Sequence, residues 1–221
     1  MLVRAALSSR LQNQSILADM HQVNHPLRII VMGVSGSGKT TLAQGLSHAL
    51  GLRMKDGDEL HLPESIAKMS AGISLQDADR WPWLDRISNY LVTDERIDGH
   101  SQPEKTHFGP GGIVACSALK QIYRHRIRQH AGPVIFLFLD GSPDLIRYRM
   151  QQRQGHYMQA GLLDSQLQTL ERPSSDELDV ITLSIDQPVE KILQQAIEGL
   201  NQAHQLSLLT ATPRSSIFQT Q

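Results

Sequence analysis

Apolar residues fall into short continuous runs and helix-spaced stripes that alternate along most of the chain. This alternation predicts an α/β fold with a parallel sheet. The runs predict five strands, which are Arg28–Met32, Leu52–Lys55, Ile113–Cys116, Val134–Leu139 and Val180–Ile185. The stripes predict helices over Lys39–Leu50, Pro63–Ser70, Asp77–Val92, Ser117–His130, Pro143–Arg153, Asp164–Leu170 and Pro188–His204.

Polar, aperiodic stretches set the limits of this domain. The predicted folded core spans residues 27–204, and a chain of 221 residues is expected to hold one such domain. Residues 1–26 are predicted to be a disordered extension and residues 205–221 a C-terminal tail. The segment 93–112 has no periodicity, and so long a loop in a compact domain is usually functional or disordered.

The first residues of the chain are consistent with two cellular locations of the protein. They carry Arg4 and Arg10 with several serines and no acidic residue before Asp19, a composition that also occurs in mitochondrial transit peptides. Alternatively, Met20 is the true start of the protein. We expect a cytoplasmic protein, with a mitochondrial location as the alternative if residues 1–19 are a presequence.

Composition excludes several classes of function. Lys and Arg number 21 against 22 Asp and Glu, and a net charge of −1 argues against a general nucleic-acid or membrane-surface binder. The longest apolar run, Val134–Leu139, is far shorter than the roughly 20 residues of a membrane-spanning helix. Cys116 is the single cysteine, and its place at a strand end favours a buried, unreactive side chain.

The segment after the first predicted strand has the pattern of a phosphate-binding loop. It reads GVSGSGKT from Gly33 to Thr40, and it lies between a predicted strand and a predicted helix, as that motif requires. We expect Lys39 to reach the β- and γ-phosphates of ATP and Thr40 to ligate Mg²⁺. The residues of this segment expected to bind the nucleotide are Gly33, Ser35, Gly36, Ser37, Gly38, Lys39, Thr40 and Thr41.

This loop predicts a nucleoside triphosphate but does not define the reaction. The chain has no N-K-x-D segment of the kind that GTPases use to read the base. Asp140 follows an apolar strand, as a Walker B aspartate does, but the next predicted helix carries Arg147, Arg149 and Arg153, which is typical of small P-loop kinases. We therefore favour a strand-end or helix-cap role for Asp140 over that of a metal ligand.

Charged residues near other predicted strand ends indicate an acceptor site. The i, i+2 spacing of Asp56 and Asp58 places both carboxylates on one side of the chain. One is suited to hold Mg²⁺ through water, and the other to orient or deprotonate a substrate hydroxyl. Arg80, Lys120 and Arg124 lie near strand ends where α/β sheets bind ligands, and they are suited to hold an anionic acceptor.

Taken together, these segments resemble the gluconokinase family of P-loop small-molecule kinases. The resemblance runs from about Arg28 to about Leu200 and departs at Leu60–Ser65, where the family usually has L-H-P-x-x-N. The matching stretches are MGVSGSGKT (Met32–Thr40), DGDELH (Asp56–His61), KMSAGISLQDADRWPWL (Lys68–Leu84), VACSALKQIYR (Val114–Arg124), RMQQRQGHYM (Arg149–Met158), LLDSQLQTLERP (Leu162–Pro173), DELDV (Asp176–Val180) and IDQP (Ile185–Pro188).

This resemblance implies phosphoryl transfer from ATP to D-gluconate with Mg²⁺, which feeds 6-phospho-D-gluconate into the pentose phosphate route. It also implies the fold of nucleoside-monophosphate kinases. That fold has a five-stranded parallel sheet in the order 2-3-1-4-5, helices on both faces and a mobile lid, here over about 153–163. A homodimer is the assembly that the resemblance suggests.

The resemblance also implies roles for individual residues. Lys39, Asp58 and Arg153 are expected to be catalytic, and Arg149 joins Arg153 in clamping the transferred phosphoryl group. Thr40 and Asp56 are expected to hold the metal ion. The residues expected to bind the acceptor are Asp58, His61, Arg80, Lys120 and Arg124.

Two other functions remain as alternatives. The first is a kinase for another small hydroxylated acid or nucleotide acceptor, such as shikimate or adenylyl sulfate. The second is a catalytically silent nucleotide-binding module. The CSALK and DRWPWL segments argue against the first alternative, and the intact Lys39, Thr40, Asp58 and Arg153 argue against the second.

Overall fold

The structure is a computed structural model that describes residues 26–93, 111–152 and 160–211, without the side chains of 160–162 and 204–211. The predictions for the N-terminal extension, for most of the 93–112 loop and for 153–159 of the lid therefore concern residues outside the described ranges. The same holds for residues 212–221 of the predicted tail.

Five parallel strands form a single sheet in the order β2-β3-β1-β4-β5, which confirms the expected topology. In the register of the central strands, Ile30 lies between Val114 and Phe136. The strands are β1 (Arg28–Met32), β2 (Met54–Asp56), β3 (Gly112–Ala115), β4 (Ile135–Asp140) and β5 (Val180–Ser184).

Helices connect the strands, and a short 3₁₀ turn, Gly57–Leu60, follows β2. The helices are α1 (Lys39–Leu50), α2 (Pro63–Ser70), α3 (Asp77–Val92), α4 (Gln121–Ala131), α5 (Pro143–Gln151), α6 (Ala160–Thr169) and α7 (Val189–Ala211). None of these described helices has the length and apolar character needed to cross a membrane.

Four helices differ from their predicted bounds, among them α5, which ends at Gln151 rather than Arg153, and α6, which spans Ala160–Thr169 rather than Asp164–Leu170. α4 begins at Gln121 rather than Ser117, because Ala118 has a left-handed backbone with φ of 40° and the helix cannot start before it. α7 continues to Ala211, beyond the predicted end at His204, so the folded part of the chain extends into the predicted tail.

Both faces of the sheet are buried, as expected for an all-parallel sheet. Ile29 and Val31 of β1 pack in a hydrophobic cluster with α1, α5 and α7. Ile30 and Met32 point to the opposite face and pack in a second cluster with α3 and α4. This packing fixes the carboxyl ends of the central strands at one edge of the sheet, where the candidate site lies.

Candidate active site

The phosphate loop connects β1 to α1, and its backbone requires glycine. Gly33, Gly36 and Gly38 have φ values of 145°, 82° and 98°, which side-chain-bearing residues rarely adopt. A Cβ on Gly33 would also lie 2.9 Å from the carbonyl oxygen of Leu139. Among the described residues, no side chain caps the start of α1, so its first N–H groups face the loop as anion donors.

The Ser37 hydroxyl lies inside this loop. Ser37 is 1% exposed, and its Oγ has no hydrogen-bond partner among the described residues. A buried hydroxyl without a partner costs about 1–3 kcal/mol. An anion in the glycine cradle would remove that cost, so the loop fits the phosphates of a nucleotide.

A cavity of about 270 Å³ adjoins the loop. Gly36, Ser37 and Gly38 line its polar side, and Leu139, Val189 and Ile192 line its apolar side. Arg149 also lines it and donates from Nη2 to the carbonyl oxygen of Ile185 at 2.5 Å. A cavity with one polar and one apolar side is suited to a nucleotide whose base leaves the loop towards β4 and α7.

The two predicted metal ligands are in contact. Thr40 Oγ1 donates to Asp56 Oδ2 at 2.9 Å, across the gap between α1 and β2. Hydroxyl and carboxylate oxygens are the ligands that Mg²⁺ prefers, together with phosphate oxygens and water. In the described parts of the chain, no group of three or more His, Cys, Asp or Glu side chains could hold a metal ion. A cation at Thr40 and Asp56 would therefore take its remaining ligands from the bound phosphates and from water.

Asp58 lies beside this pair in the 3₁₀ turn, and its backbone N–H donates to Asp56 Oδ1 at 3.1 Å. The turn packs tightly on β3, since a Cβ on Gly57 would lie 2.8 Å from the Ala115 carbonyl oxygen. Trp83 Nε1 of α3 donates to the Gly57 carbonyl oxygen at 2.7 Å and holds the turn in place. The backbone that carries the exposed Asp58 side chain is thereby fixed next to the Thr40–Asp56 pair.

His61 forms a buried wall beside Asp58. Its ring stacks on Trp83 with centroids 4.6 Å apart, and its Nδ1 has no hydrogen-bond partner among the described residues. Burial lowers the pKa of His61, although the Asp58 carboxylate opposes this shift. The ring is therefore neutral near pH 7 and suited to a hydrogen bond with an uncharged group such as a hydroxyl.

Arg80 and Lys120, the two expected acceptor-binding cations, lie together around one carboxylate. Lys120 Nζ donates to both oxygens of Asp77 at 2.8 and 2.9 Å, and Arg80 Nη1 lies 3.9 Å from Oδ1. The Tyr123 hydroxyl also donates to Asp77 Oδ1, at 2.5 Å. The Lys120 hydrogen bond, followed by that of Tyr123, lowers the pKa of Asp77. Asp77 was not predicted from the sequence as part of the site.

Known proteins with similar sequences identify the family of this chain. No protein-family model matches it. A gluconokinase of Gluconobacter oxydans is 42% identical over 172 residues, which cover 78% of this chain and 90% of that protein. The thermoresistant gluconokinase of Escherichia coli is 37% identical over 180 residues, 81% of this chain and 97% of that protein. The chain belongs to the gluconokinase family.

Solved structures agree with this assignment. A crystal structure of a gluconokinase from Sinorhizobium meliloti 1021 has a TM-score of 0.72 and 38% identity, covering 85% of this chain and 98% of that chain. An APS kinase of Mycobacterium tuberculosis has a TM-score of 0.51 at 20% identity, which is a likeness of fold alone. The predicted P-loop kinase fold and the resemblance to gluconokinases are both confirmed.

One residue of the gluconokinase pattern has a different place from the one expected. Arg124 was expected to bind the acceptor, but its side chain is 1% exposed, and it donates to both carboxylate oxygens of Glu177 at 2.6 and 2.8 Å. Its Nη1 donates to the carbonyl oxygens of Ala118, Leu119 and Glu171. Because these bonds engage the whole buried guanidinium, Arg124 is a structural residue and is not available to an acceptor.

Two further residues take no part in the chemistry. Asp140 ends β4 and accepts a hydrogen bond from Arg172 at 2.5 Å, whereas Ser142 caps α5, so the strand-end interpretation of Asp140 fits and the helix-cap interpretation does not. Cys116 is buried, as expected, and burial raises the pKa of its thiol to about 12. Its thiol is therefore protonated and unreactive near neutral pH.

One contact at the phosphate loop was not predicted from the sequence. The backbone N–H of Ser35 donates to Oε1 of Gln166 on α6 at 2.7 Å. These two residues are separated by 131 positions in the chain, so no local pattern could have predicted their contact. The expected catalytic Arg153 lies outside the described residues.

Proposed function

We propose that this chain transfers the γ-phosphoryl group of ATP to D-gluconate, giving ADP and 6-phospho-D-gluconate. One observation carries the proposal. The phosphate loop and the Thr40–Asp56 pair lie at the same edge of the sheet as Asp58, His61 and the Arg80–Lys120 pair. This arrangement supports a nucleotide site next to a site for an anion with hydroxyl groups, and the chain belongs to the gluconokinase family.

On the nucleotide side, the loop N–H groups and the Ser37 hydroxyl bind phosphate oxygens, and Lys39 neutralises the β- and γ-phosphates. Lys39 Nζ lies 3.1 Å from the Val34 carbonyl oxygen, so its ammonium group is already at the loop. Thr40 and Asp56 hold Mg²⁺, which supplies charge neutralisation on the phosphates when bound. Arg149 and Arg153 are proposed to contact the nucleotide phosphates.

On the acceptor side, Arg80 and Lys120 bind the carboxylate of gluconate, and Asp77 keeps the two cations together. His61 offers its neutral ring to a hydroxyl of the sugar acid. Asp58 accepts the proton of the primary hydroxyl as that oxygen bonds to the γ-phosphorus and the bond to the bridging oxygen of ADP breaks.

The test is ADP release by the purified full chain with gluconate, related sugar acids, shikimate or adenylyl sulfate as the acceptor. We expect gluconate to give the highest kcat/KM, and mass spectrometry to identify phosphogluconate as the product. A Lys39→Met variant serves as the control and is expected to lose transfer to every acceptor. A preference for shikimate or adenylyl sulfate would support the alternative kinase, and nucleotide binding without any transfer would support a silent module.

Two further features belong to the proposal. One is a homodimeric assembly, and the other is a cytoplasmic location, with a mitochondrial location as the alternative if residues 1–19 are a presequence. Neither feature enters the chemistry described above, because every side chain that it uses belongs to one chain.

A further inference from the structure

The Ser35–Gln166 contact joins the phosphate loop to α6. The acceptor of the bond is a side-chain amide oxygen, 2.7 Å from the backbone nitrogen of Ser35, and both residues are partly buried. This N–H is occupied by the protein itself, as are those of Gly33 and Ser37, which donate to the carbonyl oxygens of Ser117 and Val34. Gln166 therefore holds the loop through a bond within the protein that uses no group of the nucleotide.

Helix α6 holds Gln166 firmly. Leu163, one turn before it, is 2% exposed and packs in the same hydrophobic cluster as Val34 of the loop. Arg147 of α5 donates to Asp164 at 2.9 Å. Just past the end of α6, the N–H of Glu171 donates to the Leu119 carbonyl oxygen at 2.9 Å. Because α6 is anchored on both sides of Gln166, the backbone that carries its amide oxygen has a fixed position.

A fixed acceptor matters because the loop is rich in glycine. Glycine loses more conformational entropy on ordering than any other residue, so a glycine-rich loop is costly to arrange around a ligand. The Ser35–Gln166 bond, with the Ser37 N–H to Val34 carbonyl bond at 3.2 Å, holds the loop in its curved form before a ligand arrives. Order that exists beforehand does not have to be created on binding, and affinity rises accordingly.

We infer that Gln166 is a positioning residue for nucleotide binding, acting through the N–H of Ser35 and without touching the nucleotide. This inference rests on the nucleotide half of the proposed function and not on the identity of the acceptor. Helix α6 thereby helps to hold the phosphate loop in its curved conformation.

The test replaces Gln166 by methionine, which keeps the length of the side chain and removes the acceptor oxygen. Loss of one hydrogen bond predicts about a five- to tenfold rise in the Kd for ADP, measured by calorimetry, and in the KM for ATP. The kcat at saturating ATP and the KM for gluconate are expected to stay within about twofold of the wild-type values. The matched control is Gln168→Met, an exposed residue of the same helix, which should leave all four constants unchanged.

A purely structural role would lower the melting temperature of the Gln166→Met protein and leave its affinity for ADP unchanged, and that result would overturn the inference. A second measurement needs no variant: the Ser35 amide proton of the nucleotide-free wild-type protein should exchange slowly with solvent. Rapid exchange would also overturn it. Because ADP affinity is measured without an acceptor, failure of gluconate phosphorylation would refute the proposed function and leave this result standing.

Discussion

Asp56 and Asp58 are two positions apart, yet their surroundings differ. Asp56 accepts hydrogen bonds from the Thr40 hydroxyl and from the Asp58 N–H, so both of its oxygens are engaged beside the phosphate loop. Asp58 contributes its backbone to that arrangement, and its exposed carboxylate lies close enough to His61 to oppose the lowering of the pKa of that ring. The geometry therefore favours Asp56 as the metal ligand and Asp58 as the base.

This division predicts the effect of Asp58→Asn. The amide keeps the shape of the side chain but does not accept the hydroxyl proton, so kcat should fall by about 10²–10⁴-fold. The backbone N–H to Asp56 is retained, and the KM for ATP should stay within about twofold of wild type. Steady-state kinetics with ATP and gluconate measure both constants.

Glu59→Gln is the matched control for that variant, because Glu59 is an exposed carboxylate in the same turn, paired only with Lys55 at 2.8 Å in the described structure. Its kcat should remain close to that of the wild-type protein. A kcat of Asp58→Asn that equals the control value would exclude Asp58 as the base.

At the level of residues, the sequence predicted the parts of the site that lie close together in the chain. The loop Gly33–Thr40 and the Asp56–Asp58 pair are local patterns whose spacing defines their geometry. Asp77 and Glu177 were missed because their partners Lys120 and Arg124 lie 43 and 53 positions away. Arg124 was predicted to lie in the acceptor site for the same reason, because no residue near it in the sequence indicates that a buried carboxylate is its partner.

Among the elements, α4 and the segment after α6 form a buried clamp. Arg124 of α4 pairs with Glu177, and Arg128, one turn later, donates to Glu177 and Asp179 at 2.7–2.8 Å. The clamp also engages the Ala118 carbonyl oxygen, in the left-handed turn that precedes Lys120. It therefore fixes the turn that brings Lys120 to the acceptor side.

The clamp predicts a large effect of Glu177→Gln on stability. Removing one charge of a buried ion pair leaves the other charge without compensation, at a typical cost of about 3–5 kcal/mol. The side chains of Arg124 and Glu177 are 1% and 5% exposed, so water cannot compensate for the loss. The free energy of unfolding in urea, measured near neutral pH, tests this prediction.

The comparison for this element is Asp85→Asn, which breaks the pair between Asp85 and Arg126, also on α4. That pair has the same two-bond geometry at 2.8 Å, but its side chains are 36% and 33% exposed. Exposed pairs contribute about 0–1 kcal/mol. Equal losses in the two variants would show that burial does not set the strength of the clamp.

Local periodicity was sufficient to predict the bounds of β1, α1, α2 and α3, which match the structure. The start of α4 was not predictable. Its delay depends on the left-handed Ala118, a fully buried residue whose carbonyl oxygen accepts from Arg124. That conformation is imposed by tertiary contacts and leaves no sign in a pattern of apolar and polar residues.

For the whole molecule, the net charge of −1 conceals opposite charges that are paired at close range. Asp77, Asp79 and Asp85 each have a pKa lowered first by a hydrogen bond from a basic side chain. Glu177 has the same feature in a buried setting: the Arg124 hydrogen bond, then that of Arg128, lowers its pKa from 4.5 to about 2. The free energy of unfolding should therefore fall at acid pH as these carboxylates take up protons.

The contribution of Glu177 to the pH dependence of stability can be isolated by comparing the wild-type protein with Glu177→Gln. The other carboxylates are the same in both proteins, so their contributions cancel in the difference. Between about pH 4.5 and 2, the unfolded chain binds a proton at Glu177 that the folded protein does not bind. The stabilisation by Glu177 is thus complete above that range and is lost as the pH falls through it, by up to about 1.4 kcal/mol per pH unit. Urea unfolding at several pH values should give a difference between the two proteins that is constant from about pH 7 to 5.5 and shrinks at lower pH. A difference that stays constant down to about pH 3 would show that Glu177 keeps an ordinary pKa in the folded protein.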